Sequence, residues 1–125
     1  MDMIFAVAGA MFLAYAGILM IYYHMRLKER HEKTSKLMLN GVTSFRRGVY
    51  EKALAYFKIA YQHSEKIKDY PTMAEALYHM GLVYQEQDEV ENAVVMFHAA
   101  AEIYNEINDA AGVEKSNKAA DSLKS

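Results

Sequence analysis

The sequence predicts an all-α chain in which one long N-terminal helix leads into a short solenoid of antiparallel helical hairpins, closed by a capping helix. Three observations favour this fold. The 125 residues include one Pro and six Gly, and good helix formers such as Ala, Leu, Met, Glu and Lys dominate. Residues 3–23 are apolar throughout. A pattern of Glu, Ala, Phe and Ala also recurs after 40 residues.

Residues 1–23 are predicted to form a transmembrane anchor. The run from Met3 to Tyr23 contains no Asp, Glu, Lys, Arg or His. A helix of this length spans roughly 30 Å, which matches the hydrocarbon core of a bilayer. A buried helix of a soluble protein would be expected to keep a polar face. A cleaved signal peptide would carry basic residues before the run, where this sequence has Asp2.

Small residues share one face of this predicted span. They are Ala6, Ala10, Ala14 and Gly17. Such a stripe lets a second helix approach closely, because lipid provides no hydrophobic drive for association and packing must supply it. The stripe therefore predicts contact with an integral membrane protein or a second copy, although Ala and Gly are also common in spans that have no partner.

Residues 24–33 are predicted to form a charged juxtamembrane helix. Basic side chains lie in and just after this segment: Arg26, Lys28, Arg30, Lys33 and Lys36. Positive charge stays on the cytoplasmic side of membranes. We therefore expect the N-terminus outside and the C-terminal domain in the cytoplasm, in a bacterial inner membrane or its organellar equivalent. The same charges predict attraction to anionic lipid.

Residues 34–73 and 74–113 align without a gap as two copies of one unit. Identical pairs are Leu37/Leu77, Gly41/Gly81, Glu51/Glu91, Ala53/Ala93, Phe57/Phe97, Ala60/Ala100, Ile67/Ile107 and Asp69/Asp109. Large and small residues alternate among them as helix packing requires. Self-similarity at this period indicates a solenoid.

Each unit is expected to consist of two helices. The anchor continues into the first unit as one helix from about Met3 to Arg46. The second unit is expected to form helices at about 71–87 and 89–108. Gly48 and Asp88 are expected at the breaks between helices.

The repeated pattern resembles the tetratricopeptide repeat family. The second unit shows its pattern in Leu77, Met80, Gly81, Tyr84, Ala93, Phe97 and Ala100. The resemblance implies that Gly81 and Ala93 let two helices cross closely and that Phe97 fills the gap between neighbours. The 40-residue spacing is similar to the subclass of Pins-like and kinesin-light-chain adaptors, and residues 110–125 resemble the polar capping helix of such arrays. The first unit departs from the pattern at Asn40 and Ser44.

The resemblance implies a partner-binding groove on the concave face, which the first helix of each unit lines. Its positions here are Met38, Val42, Phe45, Arg46, Glu75, Tyr78, Leu82, Gln85, Glu86, Lys115, Lys118 and Ser122. The carboxylate clamp of chaperone-type members is missing, because Met38 and Val42 occupy its key positions. An apolar groove rimmed by charge suits an amphipathic helix or an extended peptide. Alternatively, the protein's own helices cover Met38, Val42 and Leu82.

No set of residues predicts catalysis, a cofactor or a metal site. The chain has no cysteine, and its five histidines lack metal-ligand spacing. The acidic run at 86–91 lacks the central Gly of a calcium loop. The net charge is −2, and basic residues are not interleaved with aromatic ones, which argues against nucleic acid as a partner. The sequence therefore predicts a non-enzymatic protein.

Charge divides unevenly between the two units. Residues 34–73 contain seven Lys or Arg and three acidic residues, a balance of +4. Residues 74–113 contain eight acidic residues and no Lys or Arg, a balance of −8. This asymmetry predicts an acidic pole that faces the cytosol or a basic partner.

These features predict a membrane-anchored scaffold. As an accessory or assembly subunit, it would dock a membrane complex through its span and recruit a cytoplasmic partner through its repeats. Alternatives are a self-associating repeat protein that organises a membrane surface and a receptor for targeting peptides. Solenoids generally need three repeats for stability, so another surface is expected to cover the open side of the first unit.

Overall fold

The computed structural model describes residues 2–124, which form five α-helices. They are α1 (Asp2–Arg46), α2 (Tyr50–Lys66), α3 (Tyr70–Glu86), α4 (Val90–Glu106) and α5 (Ala110–Ser122). The described residues form no strand. The prediction of an all-α chain is therefore confirmed.

The chain divides within α1 into two compact units, Met1–Glu32 and Lys33–Ser125. The helix predicted from about residue 3 to residue 46 is confirmed, because α1 runs without interruption from Asp2 to Arg46. In the first unit the large apolar side chains are exposed, as Met3 at 80% and Phe5 at 74% illustrate. Among the described helices, α1 alone is long and apolar enough to cross a membrane, a judgement that rests on length and composition.

Four connections of the same geometry join the helices. Each contains one residue with positive φ, and these residues follow one another at intervals of 20: Gly48 at 76°, Lys68 at 58°, Asp88 at 60° and Asn108 at 60°. The next N–H then bonds to the carbonyl five residues earlier, as Asp69 does to Ser64 at 2.9 Å. This left-handed C-terminal cap ends each of the helices α1 to α4 and satisfies its last carbonyls. The 40-residue unit is therefore built from two 20-residue steps.

The left-handed turns explain where the observed helices differ from their predicted bounds. α4 stops at Glu106 and not at Asn108, because Asn108 itself takes the positive φ of the turn. α3 covers Tyr70–Glu86, one residue earlier at both ends than predicted. Its N-terminus is capped by Asp69, whose carboxylate accepts from the Thr72 amide at 3.3 Å and from the Thr72 hydroxyl at 2.7 Å. Such a cap contributes about 1 kcal/mol.

The core follows the repeated glycine and phenylalanine. Phe57 and Phe97 are completely buried. A Cβ atom on Gly41 would lie 2.5 Å from the Phe57 ring, and one on Gly81 would lie 2.5 Å from the Phe97 ring. Each glycine thus makes room for the aromatic ring of the following helix. The packing role expected for Gly81 and Phe97 is confirmed, and Gly41 and Phe57 repeat it.

The first repeat has a more polar interior than the second. The Thr34 hydroxyl lies 2.6 Å from Nδ1 of His63, and Thr34 is only 1% exposed. Ala74 and Ile103 stand at the equivalent positions of the second repeat. Asn40 is exposed where its counterpart Met80 is buried. A polar pair across α1 and α2 therefore occupies the positions at which the second repeat has two apolar residues.

Candidate functional site

Helices α3 and α5 border a surface groove of about 500 Å³. Both helices pack against α4. The groove is lined by Tyr78, Ala111, Glu114, Lys115, Lys118, Ala119 and Ser122. The structure thus brings together four residues predicted for the concave face, namely Tyr78, Lys115, Lys118 and Ser122.

Two contacts at the start of α5 set its position beside the groove. The Asp109 carboxylate accepts from the Gly112 amide at 3.0 Å, which caps the helix. Gly112 then packs directly on the ring of Tyr104, where a Cβ atom would overlap the ring. Residues 111, 115, 118 and 122 are spaced by three and four, so they share one face of α5. This face lines the groove.

Tyr78 is the aromatic wall that α3 contributes. Its ring centroid lies 5.4 Å from that of Phe97, so the buried core supports it. Lys115 Nζ lies 4.4 Å from the centroid of Tyr78 and 5.3 Å from the centroid of Tyr104. A cation over an aromatic face is worth about 0.5–1 kcal/mol at an exposed site. The two rings therefore hold the Lys115 ammonium group in place in the groove lining.

Tyr104, the second ring in contact with Lys115, is 5% exposed. Burial, together with the nearby Glu75 and Asp109 carboxylates, raises the pKa of its hydroxyl to about 12. A buried phenol disfavours its charged form, and nearby negative charge adds to that effect. Tyr104 is thus a neutral packing residue at physiological pH.

The groove offers binding chemistry. Lys115 and Lys118 supply ammonium donors, Ser122 and Tyr78 supply hydroxyl groups, and Glu114 supplies a carboxylate. The ammonium and hydroxyl groups can donate to the carbonyl and carboxylate oxygens of a peptide, while the Tyr78 ring suits an apolar side chain. Among residues 2–124, no group of three or more His, Asp or Glu side chains could hold a metal ion.

The structure corrects the prediction for Met38. This residue was expected to line the groove, but it is 9% exposed and belongs to the main core. Val42 and Phe45 are half-buried against the same core, and the Phe45 ring lies 5.7 Å from that of Tyr50. For Met38, the alternative that the protein's own helices cover it is the one the structure supports. The first repeat therefore presents little open apolar surface at these positions.

The other predicted residues lie outside the lining of the α3–α5 groove. Leu82 is half-buried and packs on the cluster formed by Ala93, Phe97 and Ala120. Arg46, Glu75 and Glu86 are exposed, and Gln85 is half-buried. Conversely, Ala111, Glu114 and Ala119 line the groove without having been predicted. Their spacing from Lys115 and Lys118 along α5 was the signal that could have identified them.

The predicted stripe in the apolar run stays a prediction. Ala6, Ala10 and Ala14 are exposed, and Gly17 is half-buried. A Cβ atom on Gly17 would meet nothing within 4 Å. Space for a partner helix is therefore present on this face.

Comparison with known proteins agrees with this geometry. No curated protein matches the chain. The sequence model of the family described as tetratricopeptide repeat matches residues 33–110, more than half of the 125 residues. Proteins with such repeats bind other proteins. Both the match and the pairing of glycine with phenylalanine in each repeat lead to the same conclusion: the chain belongs to the tetratricopeptide repeat family.

Proposed function

We propose that this protein is a membrane-anchored interaction scaffold, an accessory or assembly subunit that recruits a cytoplasmic protein to a membrane complex. One observation carries the proposal. The helix that contains the exposed apolar run is the same helix that supplies the first helix of the repeats, since α1 extends from Asp2 to Arg46. A repeat array attached in this way stays next to whatever holds residues 3–23.

The exposed apolar run supports the membrane part of the proposal. Its side chains are exposed along its length, and a contiguous apolar surface of this size in water indicates a membrane or protein interface. Burying a Leu, Ile, Phe or Met side chain is worth roughly 1.5–3 kcal/mol each. Transfer of the whole run into hydrocarbon is therefore strongly favourable.

The first test separates a membrane span from a peripheral attachment. The full-length protein is expressed in cells, and membranes are extracted with alkaline carbonate and with detergent. We expect the protein to resist carbonate and to be released by detergent. A protease added to the cytoplasmic side should digest the repeats. Release by carbonate alone would contradict the anchor, and protection of the repeats would contradict the orientation.

The second test concerns the complex. After gentle solubilisation, the mass of the particle that contains this 14.3 kDa chain is measured. We expect a particle larger than the monomer that contains a different membrane protein. A particle made of this chain alone would favour the self-associating alternative. A monomer that binds isolated targeting peptides would favour the receptor alternative, and a monomer that binds neither would contradict the scaffold.

A further inference from the structure

Next to the apolar run, α1 carries a second surface that the scaffold role leaves unused. Tyr22, Tyr23, Arg26, Leu27 and Arg30 line a depression of about 380 Å³. All five belong to the first compact unit, so its shape depends on α1 alone. It combines two aromatic rings with two guanidinium groups at the end of the apolar run.

The arginines share one face of the helix. Arg30 follows Arg26 by four positions, which places them about 40° apart around the axis and about one turn apart along it. Lys28 lies about 160° from Arg26, on the opposite side. The charge in this depression therefore comes from the two arginines, whereas Lys28 faces elsewhere.

Tyr22 orients one of the guanidinium groups. The Arg26 guanidinium carbon lies 5.2 Å from the centroid of Tyr22, within the range of a cation–π contact. The rings of Tyr22 and Tyr23 in turn meet edge to face at 6.0 Å. Stacking uses the face of the guanidinium and leaves its N–H groups at the edge available. Those N–H groups form the fork that binds two phosphate oxygens at once.

The positions of Arg26 and Arg30 along α1 indicate that the phosphate belongs to a lipid headgroup. If residues 3–23 fill the hydrocarbon core, Arg26 lies about 4.5 Å beyond its edge and Arg30 about 10 Å beyond it. The headgroup layer on each side of a bilayer is roughly 5–8 Å thick. Arg26 therefore lies at the depth of the lipid phosphates and Arg30 at their outer edge, while tyrosine is the residue expected at the boundary itself.

We infer that Tyr22, Arg26 and Arg30 form a binding site for the phosphate headgroup of an anionic phospholipid. The lipid phosphate receives hydrogen bonds from both guanidinium groups, and its acyl chains lie along the apolar run beside the Tyr23 ring. The inference rests on the proposed membrane anchor. It adds a defined lipid as a partner and assigns it to one face of α1.

The test uses the full-length protein in neutral detergent, with phosphatidylglycerol or phosphatidylcholine added in increasing amounts. Native mass spectrometry counts the lipids that remain bound to the protein. We expect phosphatidylglycerol to bind in preference to phosphatidylcholine. Replacement of Arg26 or Arg30 by Gln should weaken phosphatidylglycerol binding roughly fivefold each. Lys28→Gln removes the same charge from the opposite face and is the matched control, so it should weaken binding less than either arginine replacement.

Two further arms distinguish the source of the phosphate and the role of the guanidinium. Inorganic phosphate in excess should leave phosphatidylglycerol bound, whereas displacement would assign the site to free phosphate. Arg26→Lys keeps the charge but loses the fork, so it should bind phosphatidylglycerol less well than the wild type. Equal effects of Arg26→Gln and Lys28→Gln, or equal binding of both lipids, would overturn the inference while carbonate resistance still supports the anchor. Loss of carbonate resistance would count against both.

Discussion

A Cβ atom on Gly81 would lie 2.5 Å from Cε1 of Phe97, a separation that real side chains do not tolerate. The same relationship joins Gly41 to Phe57. The two helices of each repeat are thus held together by the same contact, in which the ring of the second helix fills the space that a side chain on the first would occupy. The first prediction tests this contact.

We expect Gly81→Ala to destabilise the protein by about 1–3 kcal/mol, because the added methyl group must displace a fully buried ring. Thermal unfolding of the full chain in detergent provides the measurement. Combining Gly81→Ala with Phe97→Leu should give a loss smaller than the sum of the two single losses. Gly9→Ala is the control, since nothing lies within 4 Å of that position. Additive losses would show that the ring and the glycine do not constrain each other.

Replacement of Lys68 by glycine, in the turn after α2, is predicted to stabilise the protein. Lys68 has a φ of 58°, which costs an L-residue other than glycine roughly 1 kcal/mol. Lys68→Gly should therefore stabilise the protein by about 0.5–1 kcal/mol in denaturant unfolding. Lys66→Gly, in the last turn of α2, removes the same charge and should destabilise it instead. Equal effects of the two substitutions would mean that the left-handed turn is not strained.

A buried hydroxyl in α5 is predicted to reduce stability. Ser116 is completely buried, and its Oγ has no hydrogen-bond partner among the described residues. Ser116→Ala removes this unsatisfied hydroxyl group and introduces a better helix former. We therefore expect the free energy of unfolding to increase by about 1 kcal/mol. Ser64 is equally buried, but its hydroxyl donates to the Ala60 carbonyl at 2.7 Å. Ser64→Ala should therefore give a smaller gain or a loss, and a gain equal to that of Ser116→Ala would contradict the explanation.

High pH is predicted to destabilise the repeats through Tyr104. Burial, with Glu75 and Asp109 nearby, raises the pKa of Tyr104 from 10.0 to about 12. The folded state therefore holds the proton more tightly than the unfolded chain does. Protonated Tyr104 therefore contributes to the free energy of unfolding. The contribution is fully present below pH 10, and roughly 2 kcal/mol of it is lost as the pH rises towards 12.

Urea unfolding between neutral pH and pH 11 measures this effect. Tyr104→Phe has no hydroxyl to ionise, so its free energy of unfolding should fall less than that of the wild type over the alkaline part of the range. The same comparison at pH 7 corrects for loss of the hydroxyl itself. Parallel pH curves for the two proteins would assign the alkaline loss to other groups.

The α3–α5 groove is predicted to carry partner binding. Lys118→Glu reverses a charge on its lining and should weaken binding of the cytoplasmic protein that the repeats recruit by tenfold or more. Lys124→Glu makes the same change beyond the end of α5 and serves as the control. A photo-crosslinking residue at Tyr78 should capture that same partner. If both charge reversals had the same effect, the groove would not be the binding surface.

The sequence specified the helices and the packing between them well. Glycine opposite phenylalanine is a local pattern of residue size, and a helix of known geometry converts it directly into a contact. The long helix α1 was predictable because a long run of apolar residues is also a local pattern. The family is confirmed, whereas the 40-residue subclass and the anchor stay predictions.

The groove was harder to predict because it depends on how far one helix shields another. Met38 occupies a concave position in the repeat pattern, yet it is buried. Periodicity gives the direction in which a side chain points, but not how much of it the neighbouring helices cover. The contact between Gly112 and Tyr104 was missed because it occurs once, so no repeat pointed to it. Lys68 and Asn108 were missed because neither is the glycine that a left-handed turn normally attracts.

The turns at 48, 68, 88 and 108 impose a common unit of length on the array. A change of two steps, which is one whole 40-residue repeat, would keep the turns and the glycine–phenylalanine contacts in register, whereas a change of a few residues inside a helix would rotate one face out of the core. Such a chain can lengthen or shorten by whole repeats. It tolerates little alteration within them, so variation in recognition falls on the side chains of the groove.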